Sequence, residues 1–371
     1  MPRLSCQPEK EPRVDDINAL LKWYDRHQRR LPWRALPGEP RIPYYVMVSE
    51  AMLQQTTVAT VRPKFAQFIS RFPDLASLAA APLDDVLHAW QGLGYYRRAR
   101  NLHACANAII HDYAGIIPAD PAELRQLPGI GDYSAAAIAA IAFDQPVLPV
   151  DGNVVRVMSR FLGIEESVER AKKTIANELP AFVPEDRPGD MAQALMELGA
   201  LTCTPKNPNC ASCPWQQRCY AKRYRRQSEL PVPKIKRSRP EGYAVAFVML
   251  TGGTGQGEGA IMLRRRPDQG LLAGMIDLPS TSFTRTQDFA PAELLASVPL
   301  PDQEWRLVTQ PVRHIFTHLA LNMQLMRTEL ADKIAPLEGC FWHPVSKLSA
   351  LALPSLSKKI LAAAKIAHPT G

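Results

Sequence analysis

Four cysteines fall within 17 residues, as Cys203-x6-Cys210-x2-Cys213-x5-Cys219. Thiols at that density, in a chain whose first 30 residues are rich in charge and hold no apolar segment, point to a metal or cluster rather than a disulfide framework. Two kinds of site fit. Structural zinc usually draws on two short Cys-x-x-Cys knuckles, and one such pair is present, Cys210 and Cys213. Four thiolates with no histidine among them also suit a cubane 4Fe-4S cluster, which the unequal gaps favour. Cys6, Cys105 and Cys340 are scattered and read as ordinary free thiols.

Two carboxylates stand in places where acid chemistry is possible. Glu50 lies inside a helix that begins near Pro43, with Val46, Met47, Leu53 and Gln54 one turn away. Desolvation on so apolar a face raises a carboxyl pKa, as a general acid at neutral pH requires; a salt-bridged or rim glutamate is the bland alternative. Asp151, in Val150-Asp-Gly-Asn153, stands before a helix and is either an ordinary N-cap or a second carboxylate of the site. A third feature, Leu127-Pro-Gly-Ile-Gly131, joins two helical segments. Gly129 and Gly131 permit positive φ and close backbone approach, and their amides open a helix whose dipole favours an anion. That is the form of a helix-hairpin-helix, a sequence-independent grip on a DNA phosphate.

These residues need a helical frame. From about 10 to 225 apolar positions recur at helical steps with prolines between segments; Val154, Val157, Met158, Phe161 and Leu162 form one stripe, and 135–142 is a helix of small residues. Residues 223–240 hold seven Lys/Arg with Pro231, Pro233 and Pro240, and read as an extended linker, a solvated tether or a strip along phosphate. Beyond Gly242 the pattern is strand-like: 244–250 and 260–263 flank a Gly-rich stretch, 252–259, as in a β-hairpin, and further strands are expected over 304–308 and 319–325. A closing helix over 355–367 makes this second domain α+β. The glycines are a poor phosphate loop, with no Lys-Ser/Thr after them.

The 371 residues suffice for two or three domains. The longest purely apolar run, 135–143, is too short to span a bilayer. A net charge of +8 suits a polyanionic partner.

In this order, Glu50-Ala-Met-Leu-Gln-Gln-Thr56, Leu127-Pro-Gly-Ile-Gly131, Val150-Asp-Gly-Asn153 and the cysteine quartet resemble the helix-hairpin-helix iron-sulfur DNA glycosylases, and among them the adenine DNA glycosylases of the MutY type. The resemblance covers nearly the whole chain. It implies an all-α glycosylase domain over 1–225, with the hairpin at 121–142 and a 4Fe-4S loop at 203–219. A linker at 226–240 and a MutT/Nudix-like α+β domain at 241–371 would follow. The implied activity is monofunctional removal of adenine mispaired with 8-oxoguanine or guanine in double-stranded DNA, after the base has left the stack. By similarity Glu50 is the acid, Asp151 the anion that steadies the oxocarbenium-like sugar, and Asn153 an orienting hydrogen-bond partner. Where related glycosylase/lyases carry a lysine nucleophile, this chain has Tyr133, which cannot form an imine and is expected to assist Asp151. The 4Fe-4S cluster, on Cys203, Cys210, Cys213 and Cys219, is expected to position a basic loop of Arg218, Lys222 and Arg223.

By resemblance Gln54, Gln55, Thr56, Leu93 and Tyr95 meet the duplex, Gln55 and Tyr95 as wedges, and Arg34 of Leu-Pro-Trp-Arg lies among the DNA-binding residues. Arg97, Arg98 and Arg100 suit phosphate contacts or a solvated helix face. Extra residues around 37–42 follow Arg34. The lesion-reading loop of the family, Phe-Ser-His, appears as Phe316-Thr-His318 after His314, with Thr317 in the serine's place. Met275-Ile-Asp-Leu-Pro279 departs from the usual Trp-Glu-Phe-Pro, and no Arg-Glu-x-x-Glu-Glu box occurs, so pyrophosphatase activity is not expected. Two other readings compete: a bifunctional pyrimidine-damage glycosylase/lyase and a non-enzymatic iron-sulfur DNA-binding sensor. A monomer in a bacterial cytoplasm, bound to DNA and to no membrane, is the expected setting.

Overall fold

The computed structural model describes residues 13–36, 38–233, 238–252, 259–285 and 291–366. The chain divides into two compact units, one of Met1–Ala81 with Arg98–Lys236, the other of Pro82–Arg97 with Arg237–Gly371.

The first unit is built from helices. Pro43–Leu53 starts with a proline, whose missing N–H has no helical partner to lose, and is buried almost all round. Asp132–Phe143, the expected small-residue helix, packs on Pro43–Leu53 and on Pro188–Leu201. The approach is so close that a Cβ at Gly189 would sit 2.3 Å from the Ala140 carbonyl oxygen. Gly152–Leu162 carries the expected stripe, which is buried, and packs on Pro188–Leu201 as well. No helix among the described residues is long and apolar enough to cross a membrane.

The expected extended linker differs from what is found. Tyr220–Arg223 is helical, Leu230 is buried, and Arg160 donates to the Leu230 carbonyl at 2.9 Å. Arg226 pairs with Glu165 and Glu229, and Val232 bridges Ser167. A single leucine with a core to enter, and arginines with carboxylates to meet, dock a segment whose composition reads as solvated. Residues 234–237 of that segment lie outside the described residues.

The second unit holds a six-stranded sheet: β1 Glu241–Thr251, β2 Ala260–Arg265, β3 Ile276–Asp277, β4 Arg306–Ile315, β5 Ala320–Leu330 and β6 Cys340–Pro344. The order is β3-β2-β1-β5-β4, with β6 on β2. β1 and β5 run parallel, from Glu241 opposite Ala320 to Thr251 opposite Leu330; the other pairs are antiparallel. β1 is covered on both faces. Ala244, Ala246 and Val248 enter one cluster and Val245, Phe247 and Met249 the other, which explains its unbroken apolar run. β1 and β2 form the expected hairpin, while 253–258 of its glycine-rich connection lie outside the described residues. β4 extends past the expected 304–308, with a register irregularity between Val308 and Val312 around Pro311, which has no amide proton for the ladder. The closing helix runs Ser355–Ala363 and buries Leu356, Ile360 and Leu361; residue 367 is outside the described part.

Candidate active site

Glu50 projects from the Pro43–Leu53 helix and is only 6% exposed. The Tyr133 hydroxyl donates to its Oε2 at 2.8 Å. Burial, the largest influence, pushes the Glu50 carboxyl up to about 7. The Tyr133 hydrogen bond pulls it down, the Asp151 charge pushes it up, and the Arg34 cation pulls it down. A carboxyl poised there holds its proton at neutral pH and can still surrender it, the property of a general acid. Tyr133, expected to assist Asp151, donates its hydroxyl to Glu50 and also feels the Asp151 charge; it opens the helix packed against Glu50's own. Its phenol is raised well above the ordinary value, by burial first and then by Glu50, so it stays a donor.

Asp151 caps the Gly152–Leu162 helix, accepting from the Val154 amide at 2.6 Å. Its other oxygen accepts from the Asn153 side chain at 2.8 Å. Arg156 in turn holds the Asn153 oxygen at 2.9 Å and reaches the carbonyls of Gly199 and Cys203, each at 2.7 Å. Burial raises the Asp151 carboxyl, and the Val154 and Asn153 hydrogen bonds, with the Arg156 cation, draw it back. Two carboxyl groups therefore share one interior, the first a protonated donor and the second fixed by a helix start.

Arg34, expected among the DNA-binding residues, pairs with Glu197 at 2.7 Å and donates to the Arg29 carbonyl at 3.1 Å. Arg29 grips the same Glu197, at 2.8 Å through Nε. Glu197, 1% exposed, is a polar residue that sequence reasoning missed; its charge inside the apolar run 191–198 was the available signal.

Gln54 donates to the Ser134 hydroxyl at 3.2 Å. Gln55 adopts a left-handed φ of 60°, and Thr56 accepts from Arg98 at 3.1 Å. Arg98 also donates to the carbonyls of Ala51 and Met52, so it points inward and not to a phosphate. Met47, Glu50, Gln54, Asn101, Gly129 and Ser134 line a cavity of about 40 Å³. That holds a water or two and falls short of a purine ring. In the hairpin Gly129 has φ +77°, and a Cβ there would lie 2.4 Å from the Asn101 Cβ. Gly131 was expected to share that conformation but is extended, with φ −99° and nothing within 4 Å of a built Cβ. It is the N-cap of Asp132–Phe143, and its surroundings leave the backbone approachable.

In the second unit Leu93 is 4% exposed, whereas Tyr95 is 47% exposed with φ 48°. The Tyr95 hydroxyl hydrogen-bonds the Thr317 hydroxyl. Phe316, Thr317 and His318 form the connection between β4 and β5. Phe316 is half-buried against the core and stands edge-on to His314, centroids 4.5 Å apart, while Thr317 and His318 are exposed.

Cys203, Cys210, Cys213 and Cys219 line one cavity. Arg160 lies 3.3 Å from the Cys203 sulfur and Gln227 3.8 Å from that of Cys210, and backbone amides serve Cys213 and Cys219. Burial pushes the Cys213 thiol up to about 12 and raises Cys219, so joint deprotonation calls for a positive centre among them. Among the described residues no three His, Cys, Asp or Glu side chains converge on a single ion. Four thiols around one cavity, met by N–H donors, are a donor set that suits either a structural zinc ion or a polynuclear cluster. The expected basic loop is partly spent: Arg218 pairs with Asp16, and Lys222 donates to Gln216 at 2.7 Å.

Residues 48–184 match the family model described as HhH-GPD superfamily base excision DNA repair protein, and 252–363 match the NUDIX domain. The chain is 34% identical to the adenine DNA glycosylase of Mus musculus over 94% of its own length and 78% of the relative's. It is 32% identical to that of Homo sapiens, over 92% and 72% of the two chains. The adenine DNA glycosylase of Buchnera aphidicola subsp. Baizongia pistaciae is 29% identical over 92% and 94%. Among solved structures, a thermostable thymine-DNA glycosylase superposes with a TM-score of 0.51 at 27% identity, covering 56% of this chain and 95% of that one. The expected fold, a helical helix-hairpin-helix glycosylase part followed by a Nudix-like part with a sheet, is what sequence matching and structure both give.

Proposed function

The chain belongs to the adenine DNA glycosylases, base-excision repair hydrolases of N-glycosyl bonds, and from that premise we propose that it excises adenine mispaired with 8-oxoguanine or guanine, using Glu50 as general acid. The observation that carries the assignment is the buried Glu50 carboxyl, held by Tyr133 and raised to about 7. Adenine enters a pocket on extrusion, and Glu50 protonates a ring nitrogen, which makes the base a better leaving group. Positive charge then builds on the sugar, and Asp151, fixed by Val154 and Asn153, stabilises it. The cavity beside Glu50 is small, so its walls must part to admit a purine.

With tyrosine at 133 there is no amine to attack the sugar, and strand cleavage through an imine is absent from this mechanism. Gly129 and Gly131 grip phosphate, Gln54, Gln55 and Thr56 meet the opened stack with Tyr95, and Phe316, Thr317 and His318 read the lesion. Cys203, Cys210, Cys213 and Cys219 would hold a 4Fe-4S cluster, whose contribution is to brace the loop that carries them. The protein acts as a monomer on chromosomal DNA in a bacterial cytoplasm.

The deciding experiment is single-turnover adenine release from a duplex with adenine opposite 8-oxoguanine, beside Glu50→Gln. Loss of release in the variant is expected; release at the wild-type rate would remove Glu50 from its role. Borohydride should trap no covalent adduct.

A further inference from the structure

We propose that Arg98 is a positioning residue that locks Gln54-Gln55-Thr56 in the conformation that extrudes a base. The inference deepens the glycosylase reading above and rests on it.

Arg98 stands in the first turn of the Arg97–Asp112 helix, where the helix dipole disfavours a cation. Its guanidinium instead faces the other end of a different helix. Nη1 donates to the carbonyls of Ala51 at 2.9 Å and Met52 at 2.8 Å, in the last turn of Pro43–Leu53, where carbonyls have no helical partner. Nη2 reaches past the helix end to the Thr56 hydroxyl at 3.1 Å. One planar fork therefore spans both sides of the exit turn. Inside that span Gln54 leaves the helix at ψ 110° and Gln55 takes φ 60°, a region a non-glycine residue occupies only when its surroundings impose it.

The same fork fixes the end of the helix that carries Glu50, the residue just before Ala51. One turn further along the Arg97–Asp112 helix, Asn101 supports Gly129 of the hairpin. A single helix thus seats the phosphate grip and the exit turn together. Lysine offers a point charge without the fork, so it cannot replace arginine here, whereas at a phosphate it largely could.

The test uses the full-length protein and a duplex with 2-aminopurine opposite 8-oxoguanine, whose fluorescence reports extrusion. Arg98→Lys should lower the extruded fraction by about tenfold, and single-turnover excision with it. Arg98→Met should leave the slope of log Kd against log salt unchanged, since no phosphate contact is lost. Thr56→Val should lower extrusion by about threefold and Thr56→Ser should restore it, which keeps the test decisive if the Arg98 variants fold poorly. Wild-type extrusion in Arg98→Lys, or a salt slope reduced by about one in Arg98→Met, overturns the proposal. Extrusion is read without excision, so a fully active Glu50→Gln would sink the assigned acid and leave this comparison intact.

Discussion

The Tyr133 hydroxyl donates to Glu50 Oε2 across 2.8 Å, from the first turn of one helix into the middle of another. The bond favours the ionised carboxylate and works against burial, which holds the acid near 7 rather than higher.

Removing that donor gives the first prediction. In Tyr133→Phe nothing offsets desolvation at Oε2, so the Glu50 carboxyl rises further. The descending alkaline limb of the excision rate should move to higher pH, as read from single-turnover rates across a pH series. A limb that stays in place, or moves to lower pH, would break the link between the two residues.

Stability should carry the same signature. Glu50 binds its proton more tightly in the folded chain, at about 7, than at its ordinary 4.5. The associated stabilisation is complete below pH 4.5 and is lost as pH climbs through about 7, by about 3 kcal/mol. Glu50→Gln lacks this dependence. Urea unfolding from pH 4.5 to 8 should therefore show the variant gaining on the wild type by about that amount. A constant difference between the two would contradict it.

The hairpin glycines should separate folding from binding. Gly129→Ala meets Asn101 at 2.4 Å in a left-handed conformation, and a loss of at least about 2 kcal/mol in stability is expected. Gly131→Ala meets nothing and needs no unusual φ, so its melting temperature should hold. Its methyl would crowd an approaching phosphate, and DNA affinity should drop by about tenfold at fixed salt. Equal melting temperatures for the two variants would refute this division.

The proposed 4Fe-4S cluster sets an expected metal content. Chemical analysis of the purified protein should give about four iron and four sulfide per chain, and no stoichiometric zinc. Cys213→Ser should lose both together. Stoichiometric zinc would overturn the proposed cluster.

The groups with local causes were legible in the sequence. An acid in an apolar helix, a glycine pair before an alanine-rich helix and four close thiols each announce themselves within a few turns; Glu50 is buried, Gly129 is left-handed while Gly131 is extended, and the four thiols line one cavity. The partners of arginines were not legible: a guanidinium looks the same in sequence whether it faces water or a carboxylate far along the chain, so neither the Glu197 pair of Arg34 nor the helix-end carbonyls beside Arg98 could be foreseen. The docking of Leu230 and the two-residue β3 were hidden for a related reason: each rests on partners that only the folded chain supplies.

Asp151 holds the Val154 amide, in the first turn of its helix, with one oxygen and the Asn153 side chain with the other. Asparagine is as good a helix starter as aspartate. If Asp151 is the anion of the proposed mechanism, an Asp151→Asn allele would keep its helix start, melt only slightly lower because its amide faces the Asn153 donor, and lose excision. Surveys of inherited variants that score only folding or abundance would pass it as benign.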